Sequence, residues 1–344
     1  MTGRERVKAA IAFKPVDRAP LQYLATSIGF YEHGEKLNDL YATLPGDFGP
    51  FVRSPIPVLP PEDFDADGRY HTFTRDEWGT VWERRIYGLW GMPSEYPLAG
   101  ANAQATAAYR FPERATHSGE DIARERIEVT KLQQLYYTMH GGGSLMERLR
   151  GLLPEEELLM GIAADEPHIN ALADRIVEYH APDISHAIEV GTDCLSFGDD
   201  YGTERGLLMN PAMWRRFFKP RLRHLFEPAV RAGLDIHFHS CGVITPIIPD
   251  LREVGVTSIW PQLPAYDMEE LAALCRAEHL AVAIHTDRAN IMTNGTPAQV
   301  RELAKREFDT FRMMEGGSWF YVEVDNGFPF ANIEALVETI AQWR

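Results

Sequence analysis

The second half of the chain repeats one pattern, and that pattern limits the folds open to it. Short apolar runs at 193–198 (DCLSFG), 235–240 (DIHFHS), 256–261 (VTSIWP), 280–285 (LAVAIH) and 318–324 (SWFYVEV) alternate with helical patterns at 211–232, 246–254, 267–278, 296–315 and 331–343. A helix between two strands carries the chain back to its starting edge, so such strands run parallel. With earlier strands at 20–24 and 132–138, the chain fits an α/β fold of the (β/α)8 TIM barrel type. It is expected to form a single barrel domain over 1–344 with an N-terminal extension. Helix starts support this reading: Asp267 with Glu270 reads as a capping box, and Thr296-Pro297 places a cap before proline at the first helical position. Val7, Ala10 and Ile11 give 4–13 the spacing of a short amphipathic helix. No GxGxxG follows the first strand, which disfavours a dinucleotide-binding fold.

Residues 45–125 break the pattern. They are irregular and rich in proline, glycine and aromatics, and an insertion of this length usually serves a site as lid or wall. Within it, 76–98 reads as a hairpin carrying Trp78, Trp82, Tyr87, Trp90 and Tyr96. These rings suit either an aromatic wall over an apolar or cationic substrate or ordinary core packing. The formal net charge of −16 argues against nucleic acid and anionic membrane surfaces as partners. No run of about 20 apolar residues is present to span a bilayer. The charged opening MTGRERVK lacks the apolar core of a signal peptide, and the 3 cysteines are widely spaced. A cytoplasmic protein without a disulfide framework is expected.

In such a barrel, catalytic groups sit at the C-terminal ends of the strands. Polar residues fall at those ends: Asp199 and Asp200, His239 and Cys241, Gln262, then His285, Asp287 and Arg288, and finally Glu323 and Asp325. Within DIHFHSCG (235–242), His237, His239 and Cys241 share a strand face. A thiolate beside an imidazole suits Zn2+, which as a catalytic ion takes three protein ligands and keeps one open position. The third ligand must come from another strand end, with Glu323, Asp325 and His285 as candidates. The competing interpretation makes Cys241 a small buried hydrophobe and His239 a hydrogen-bonded core histidine. Asp199 and Asp200 are candidates for substrate hydrogen bonding or general acid–base catalysis, or else caps. His285 is a candidate proton donor or substrate contact, or else structural. The MHGGG stretch (139–143) reads as a turn before a helix.

Two long stretches, FGDDYGTERGLLMNPAMWRRFFKPRLRHLF (197–226) and HSCGVITPIIPDLREVGVTSIWPQ (239–262), resemble the uroporphyrinogen decarboxylase superfamily, and within it the corrinoid-dependent (cobalamin) methyltransferase branch. RERVKAAIAFKPVDRAPL (4–21), DEWGTVWE (76–83) and NGFPFANIEALVE (326–338) are similar to that branch too. The resemblance covers nearly the whole chain. It implies a zinc-dependent methyltransferase whose H-x-C motif, matched by His239 and Cys241, binds the metal. The methyl group would pass between a small substrate (a methoxylated aromatic, a methylamine or a thiol) and a corrinoid carried by a partner protein, since the chain has no D-x-H-x-x-G stretch of its own. A homodimer is common among barrels of this kind. The family often supplies a further cysteine from a late strand. Here the matching segment is VEVDNGFP (322–329), which makes Glu323 the first choice of substitute and Asp325 the second. The decarboxylase proper carries an arginine-rich segment near its N-terminus, whereas 21–37 holds no arginine, so a porphyrinogen substrate is disfavoured. The alternatives are a metal-free decarboxylase acting on another carboxylate, a non-enzymatic corrinoid-binding scaffold and, more distantly, a zinc hydrolase.

Overall fold

A computed structural model describes residues 1–89, 91–287 and 290–344. Seven parallel strands form one curled sheet: β1 (Leu21–Leu24), β2 (Met139–Gly143), β3 (Cys194–Gly198), β4 (Asp235–Ser240), β5 (Ser258–Pro261), β6 (Ala281–Ile284) and β7 (Ser318–Glu323). In space the order is β1-β7-β6-β5-β4-β3-β2, with every ladder parallel. The winding is that of a (β/α) barrel, but the expected eighth strand is not found among the described residues. After β1 the chain makes two short helices, Ser27–His33 and Glu35–Thr43, and then enters its long excursion. None of the described residues in that stretch forms a ladder between β1 and β2.

A loop bridges the gap instead. The Asp47 amide donates to the Leu21 carbonyl at 2.7 Å, and the Asp47 carbonyl accepts from the Tyr137 amide at 2.9 Å. The Asp47 carboxylate is 1% exposed and takes Arg6 at 2.5 Å and Arg344 at 2.7 Å, both guanidinium groups being equally buried. It also accepts the Leu21 amide at 2.9 Å. The N-terminal helix, the bridging loop and the C-terminal residue are thus tied to one carboxylate.

Alternation along the strands sorts side chains between two cores. Leu195, Phe197, Ile236, Phe238, Ile259, Val282, Ile284, Phe320 and Val322 face outward into the helical layer. Trp319 and Tyr321 face inward against Ala281 and Ala283, with Ile11, Phe13, Phe48 and Trp260 packed on them. The large rings of β7 fit because its neighbour offers only methyl groups. The helix Gly3–Ile11, opened by a Thr2/Glu5 capping box, buries Val7 against Tyr137 and Cys194 and stoppers that end of the barrel. The other end stays open for chemistry.

Most helices lie where the sequence placed them: Pro211–Arg231, Ile248–Glu253, Met268–Ala277, Pro297–Thr310 and Phe330–Ala341. Asp267 caps through the Glu270 amide, and Thr296 forms a full capping box with Gln299. One expectation needs correction. MHGGG is edge strand β2, not a turn. Two of its three glycines are required by close packing, because a Cβ on Gly142 would come within 2.9 Å of Leu195, and one on Gly143 (φ +99°) would collide with the His180 ring. The hairpin expected at 76–98 is formed by Val81–Arg84 and Met92–Glu95, and Thr72–Arg75 extends it to a three-stranded antiparallel sheet. Trp78 is core: it packs on Tyr179 at 4.7 Å and Phe111 at 4.9 Å, with the Arg148 guanidinium over its face. Trp90 lies outside the described residues. Among the described residues, no helix is long and apolar enough to cross a membrane.

Candidate metal centre

Strands β3 and β4 pair so that Gly198 stands beside His239. Two residues beyond Gly198 comes Asp200, and two residues beyond His239 comes Cys241. Alternation therefore turns Asp200, His239 and Cys241 toward the same space at the barrel mouth. Their ligand atoms all lie within 4.8 Å of one another. His239 Nε2 is 3.4 Å from Cys241 Sγ and 3.5 Å from Asp200 Oδ1. The Asp200 Oδ1 also accepts the Cys241 amide at 2.8 Å, which fixes the carboxylate against the thiol loop.

The imidazole is oriented. His239 Nδ1 is 2.9 Å from the Trp260 carbonyl, which can only accept, so Nδ1 carries a proton and Nε2 is the nitrogen turned to the cluster. The Trp260 ring packs on the imidazole at 4.0 Å. Nε2 then faces a carboxylate oxygen, an approach that a second ring proton or a bound cation bridges. A tetrahedral zinc with ordinary bond lengths would set nitrogen and oxygen about 3.4 Å apart and nitrogen and sulfur about 3.6 Å apart. The separations found here match, so the residues present fit the metal. With Asp200 30% and His239 24% exposed, the cluster meets solvent on one side, and a fourth ligand can reach it.

Glycine makes this proximity feasible. The loops after β3 and β4 touch backbone to backbone: a Cβ on Gly202 would lie 2.6 Å from the Gly242 carbonyl carbon, and Gly242 itself sits at φ +68°. The Val243 amide donates to the Thr203 carbonyl at 2.8 Å across the same contact. From the end of β5, Gln262 Oε1 accepts the Gly242 amide at 2.9 Å and the Tyr266 hydroxyl donates to the Gly242 carbonyl at 2.8 Å. The supports Trp260, Tyr266, Gly202 and Gly242 carry no chemical signal in the sequence. Gln262 was visible there only as a polar strand end.

The other sequence candidates separate. Asp199, one residue before Asp200, points the opposite way and is fully buried. It accepts from the Leu145 and Glu147 amides at 2.9 and 3.1 Å and from the Tyr201 hydroxyl at 2.9 Å, capping the helix Met146–Leu152. Burial pushes its carboxyl up to about 7 against those hydrogen bonds. It is a helix cap rather than a group at the mouth. Glu323 lies on β7, three strands from β4, with its carboxylate 3.8 Å from His285 Nδ1. Among the described residues, it belongs to no cluster with His239 and Cys241. His285 and Glu323 form their own pair, and the Trp260 ring that packs on His239 has its centroid 5.8 Å from the His285 ring. Asp325 is buried two residues further on. His237 sits below His239, bonded to Ser258 Oγ at 2.9 Å, and burial holds its imidazole neutral, down to about 3. Arg288 lies outside the described residues. A shallow cleft with a volume of only about 10 Å³ is lined by His239, Trp260, Gln262, His285 and the Pro261–Pro264 turn.

Just behind His285, Thr286 donates to the fully buried Glu307 at 2.8 Å. Burial pushes this carboxyl up to about 8, aided by the Asp287 charge and opposed by the Thr286 hydrogen bond. A folded-state pKa above the unfolded one means the associated stability is fully present below about pH 4.5 and is lost as pH rises through about 8. Glu307→Gln is expected to flatten this loss, matching wild type in mild acid and exceeding it above about pH 8. Urea midpoints across that range check it; parallel pH profiles for the two proteins would show that Glu307 stays ionised.

No protein-family model matches the chain, and no curated protein is similar to it in sequence. The solved structures are more informative. The whole chain superposes on a methyltransferase from Methanosarcina mazei. The TM-score is 0.66 over 99% of both chains, at 14% identity. A B12-independent methionine synthase from Shewanella sp. W3-18-1 matches over 79% of this chain and 72% of its own, with a TM-score of 0.46 at 9% identity. A dihydropteroate synthase from Xanthomonas albilineans matches over 57% and 64%, with a TM-score of 0.33 at 10% identity. At these identities the likeness is one of fold, and only the first superposition is close enough to carry weight.

Proposed function

We propose that the chain is a zinc-dependent methyltransferase of the corrinoid branch of the uroporphyrinogen decarboxylase superfamily, moving a methyl group between a small substrate and a separate corrinoid protein. The observation that carries this reading is the Asp200–His239–Cys241 cluster, open at the barrel mouth with separations that suit a tetrahedral ion. The full-length likeness in fold to a methyltransferase supports it. Zinc held there would act as a Lewis acid on the heteroatom that bears or accepts the methyl group.

The chain's own residues have distinct tasks. Trp260 orients His239 through its carbonyl and walls the cleft with its ring. His285, paired with Glu323, lines the same cleft as His239 and can hold a proton. When a carbon–heteroatom bond breaks and the methyl group leaves, the heteroatom keeps the electron pair and takes that proton. In the other direction, the same pair can accept the proton of a thiol.

The test supplies free cob(I)alamin with a methoxylated aromatic, a methylamine or a methyl thioether, and methylcobalamin with a thiol, and follows cobalamin absorbance. Zinc-loaded wild type is expected to turn over one of these combinations. His285→Gln is expected to slow it about 100-fold without loss of metal. A zinc-loaded wild type inert with every donor and acceptor class would contradict the proposed activity. A His285→Gln variant as fast as wild type would remove the proton role.

A further inference from the structure

A second cluster of metal-type ligands lies on the outer face of the barrel, away from the mouth. Glu125 on the helix Gly119–Leu132, His140 on β2 and His186 on the helix Pro167–Val190 bring one ligand atom each within 4.8 Å of the others. His140 stands in register with Leu195, and Leu195 with Ile236, a row whose side chains face the helical layer rather than the barrel interior. His186 Nε2 is 2.8 Å from Glu125 Oε2. The His140 and His186 ring centroids are 5.3 Å apart. His140 Nδ1 lies 2.8 Å from the Gly141 carbonyl, which places a proton on Nδ1.

An ordinary histidine–carboxylate pair accounts for only part of this arrangement. His186 is 8% exposed, and its Nδ1 is buried with no hydrogen-bond partner. A buried imidazole held by Nε2 to the carboxylate, a second imidazole within reach and a carboxylate that reaches solvent form a two-histidine, one-carboxylate donor set. That set suits zinc and neighbouring divalent transition metals rather than calcium or magnesium, which prefer all-oxygen shells.

We infer that Glu125, His140 and His186 form a second site for a zinc-class divalent cation. Nitrogen and oxygen across a tetrahedral zinc stand about 3.4 Å apart, so the His186–Glu125 pair opens by about 0.6 Å on binding and releases its shared proton to solvent. The ion pins the helix Gly119–Leu132, at the end of the insertion, to β2 and to the long helix behind it. This is the edge of the sheet where the ladder stops, so the metal fastens the part of the barrel that strand pairing leaves open. Glu125 is 40% exposed, which leaves room for water at a further coordination position.

The inference is independent of the centre at the mouth, and one experiment separates the two. Wild type, Cys241→Ala, Cys241→Ala/His140→Gln and Cys241→Ala/Glu125→Gln, all full-length, are loaded with zinc and desalted, and zinc per chain and melting temperature are measured. Cys241→Ala is expected to keep one zinc and to melt higher with zinc than without. His140→Gln and Glu125→Gln in that background are expected to weaken zinc binding about 100-fold or more and to abolish the melting shift. Glu125 lies on the surface, so its variant tests the site without burdening the core. A Cys241→Ala protein with neither zinc nor a melting shift would overturn the second site, as would either double variant that binds zinc like Cys241→Ala. Failure of the mouth centre alone would read differently: one zinc in wild type, unchanged by Cys241→Ala and lost with His140→Gln.

Discussion

Cys241→Ala is expected to lower methyl transfer at least about 100-fold and to leave the unfolding midpoint nearly unchanged. A directly coordinating thiolate contributes more than the supports around a metal site, whose loss already reduces affinity or activity 10–100-fold in typical cases. The side chain is small and partly exposed, so its removal leaves no large cavity. Cys194 and Cys275 supply the control. Both are buried, and burial pushes both thiols up, that of Cys275 to about 12, so neither is a ready ligand or nucleophile. Activity assays on the three single cysteine-to-alanine variants decide the matter: only the Cys241 variant should be impaired beyond what stability explains.

Asp47→Ala has the largest expected effect on stability, about 3–5 kcal/mol. The carboxylate is buried among Arg6, Arg344 and the Leu21 amide. Deleting it takes the carboxylate partner from the buried Arg344 guanidinium and leaves Arg6 with Asp17 alone, and removing one partner of a buried ion pair is costly. Because the Asp47 backbone also bridges β1 and the segment entering β2, loosening this loop should free both edges of the sheet. Hydrogen exchange is expected to show this as faster exchange at Leu21 and Tyr137, with the β4–β5 ladder much less affected. A urea-unfolding loss under about 1 kcal/mol would mean that the bridge contributes little.

Much of this fold was legible because the second half obeys simple periodicities. Apolar runs short enough for strands, separated by capped amphipathic helices, locate β3 to β7 and the helices between them. The edges were harder. β2 is built from glycine, which strand propensity disfavours, and its reason for being glycine lies in the close approach of Leu195 and His180. The bridge at Asp47 replaces a ladder with three long-range contacts to one carboxylate, which no local pattern announces.

The site divides in the same way. His239 and Cys241 could be placed together because period-two alternation acts within one strand. The residue that joins them depends on which strand lies beside β4, and Glu323 was chosen by resemblance to a late-strand ligand. The usable signal was topological: consecutive strands in such a fold are neighbours, so the strand before His239 ends next to it, and the strand before it ends in Asp200. Asp199 and Asp200 were equivalent in the sequence, yet alternation gives one to a helix cap and the other to the mouth. The cluster on the outer face joins three elements from 125 to 186, a separation at which sequence spacing carries no information.

The central claim is that Asp200, His239 and Cys241 hold one ion. Cobalt(II) tests it most directly, because a thiolate ligand gives the bound ion an intense charge-transfer absorption, and Cys241 is the one cysteine with access to solvent. Metal-free wild type, Asp200→Ala and Glu323→Ala are titrated with cobalt(II) under reducing conditions. The prediction is a saturable thiolate band in wild type, the same band in Glu323→Ala, and in Asp200→Ala a loss of affinity of about 100-fold or more. A band lost with Glu323→Ala and kept in Asp200→Ala would move the third ligand to β7 and contradict the geometry described here, and a wild type without the band would contradict the centre itself.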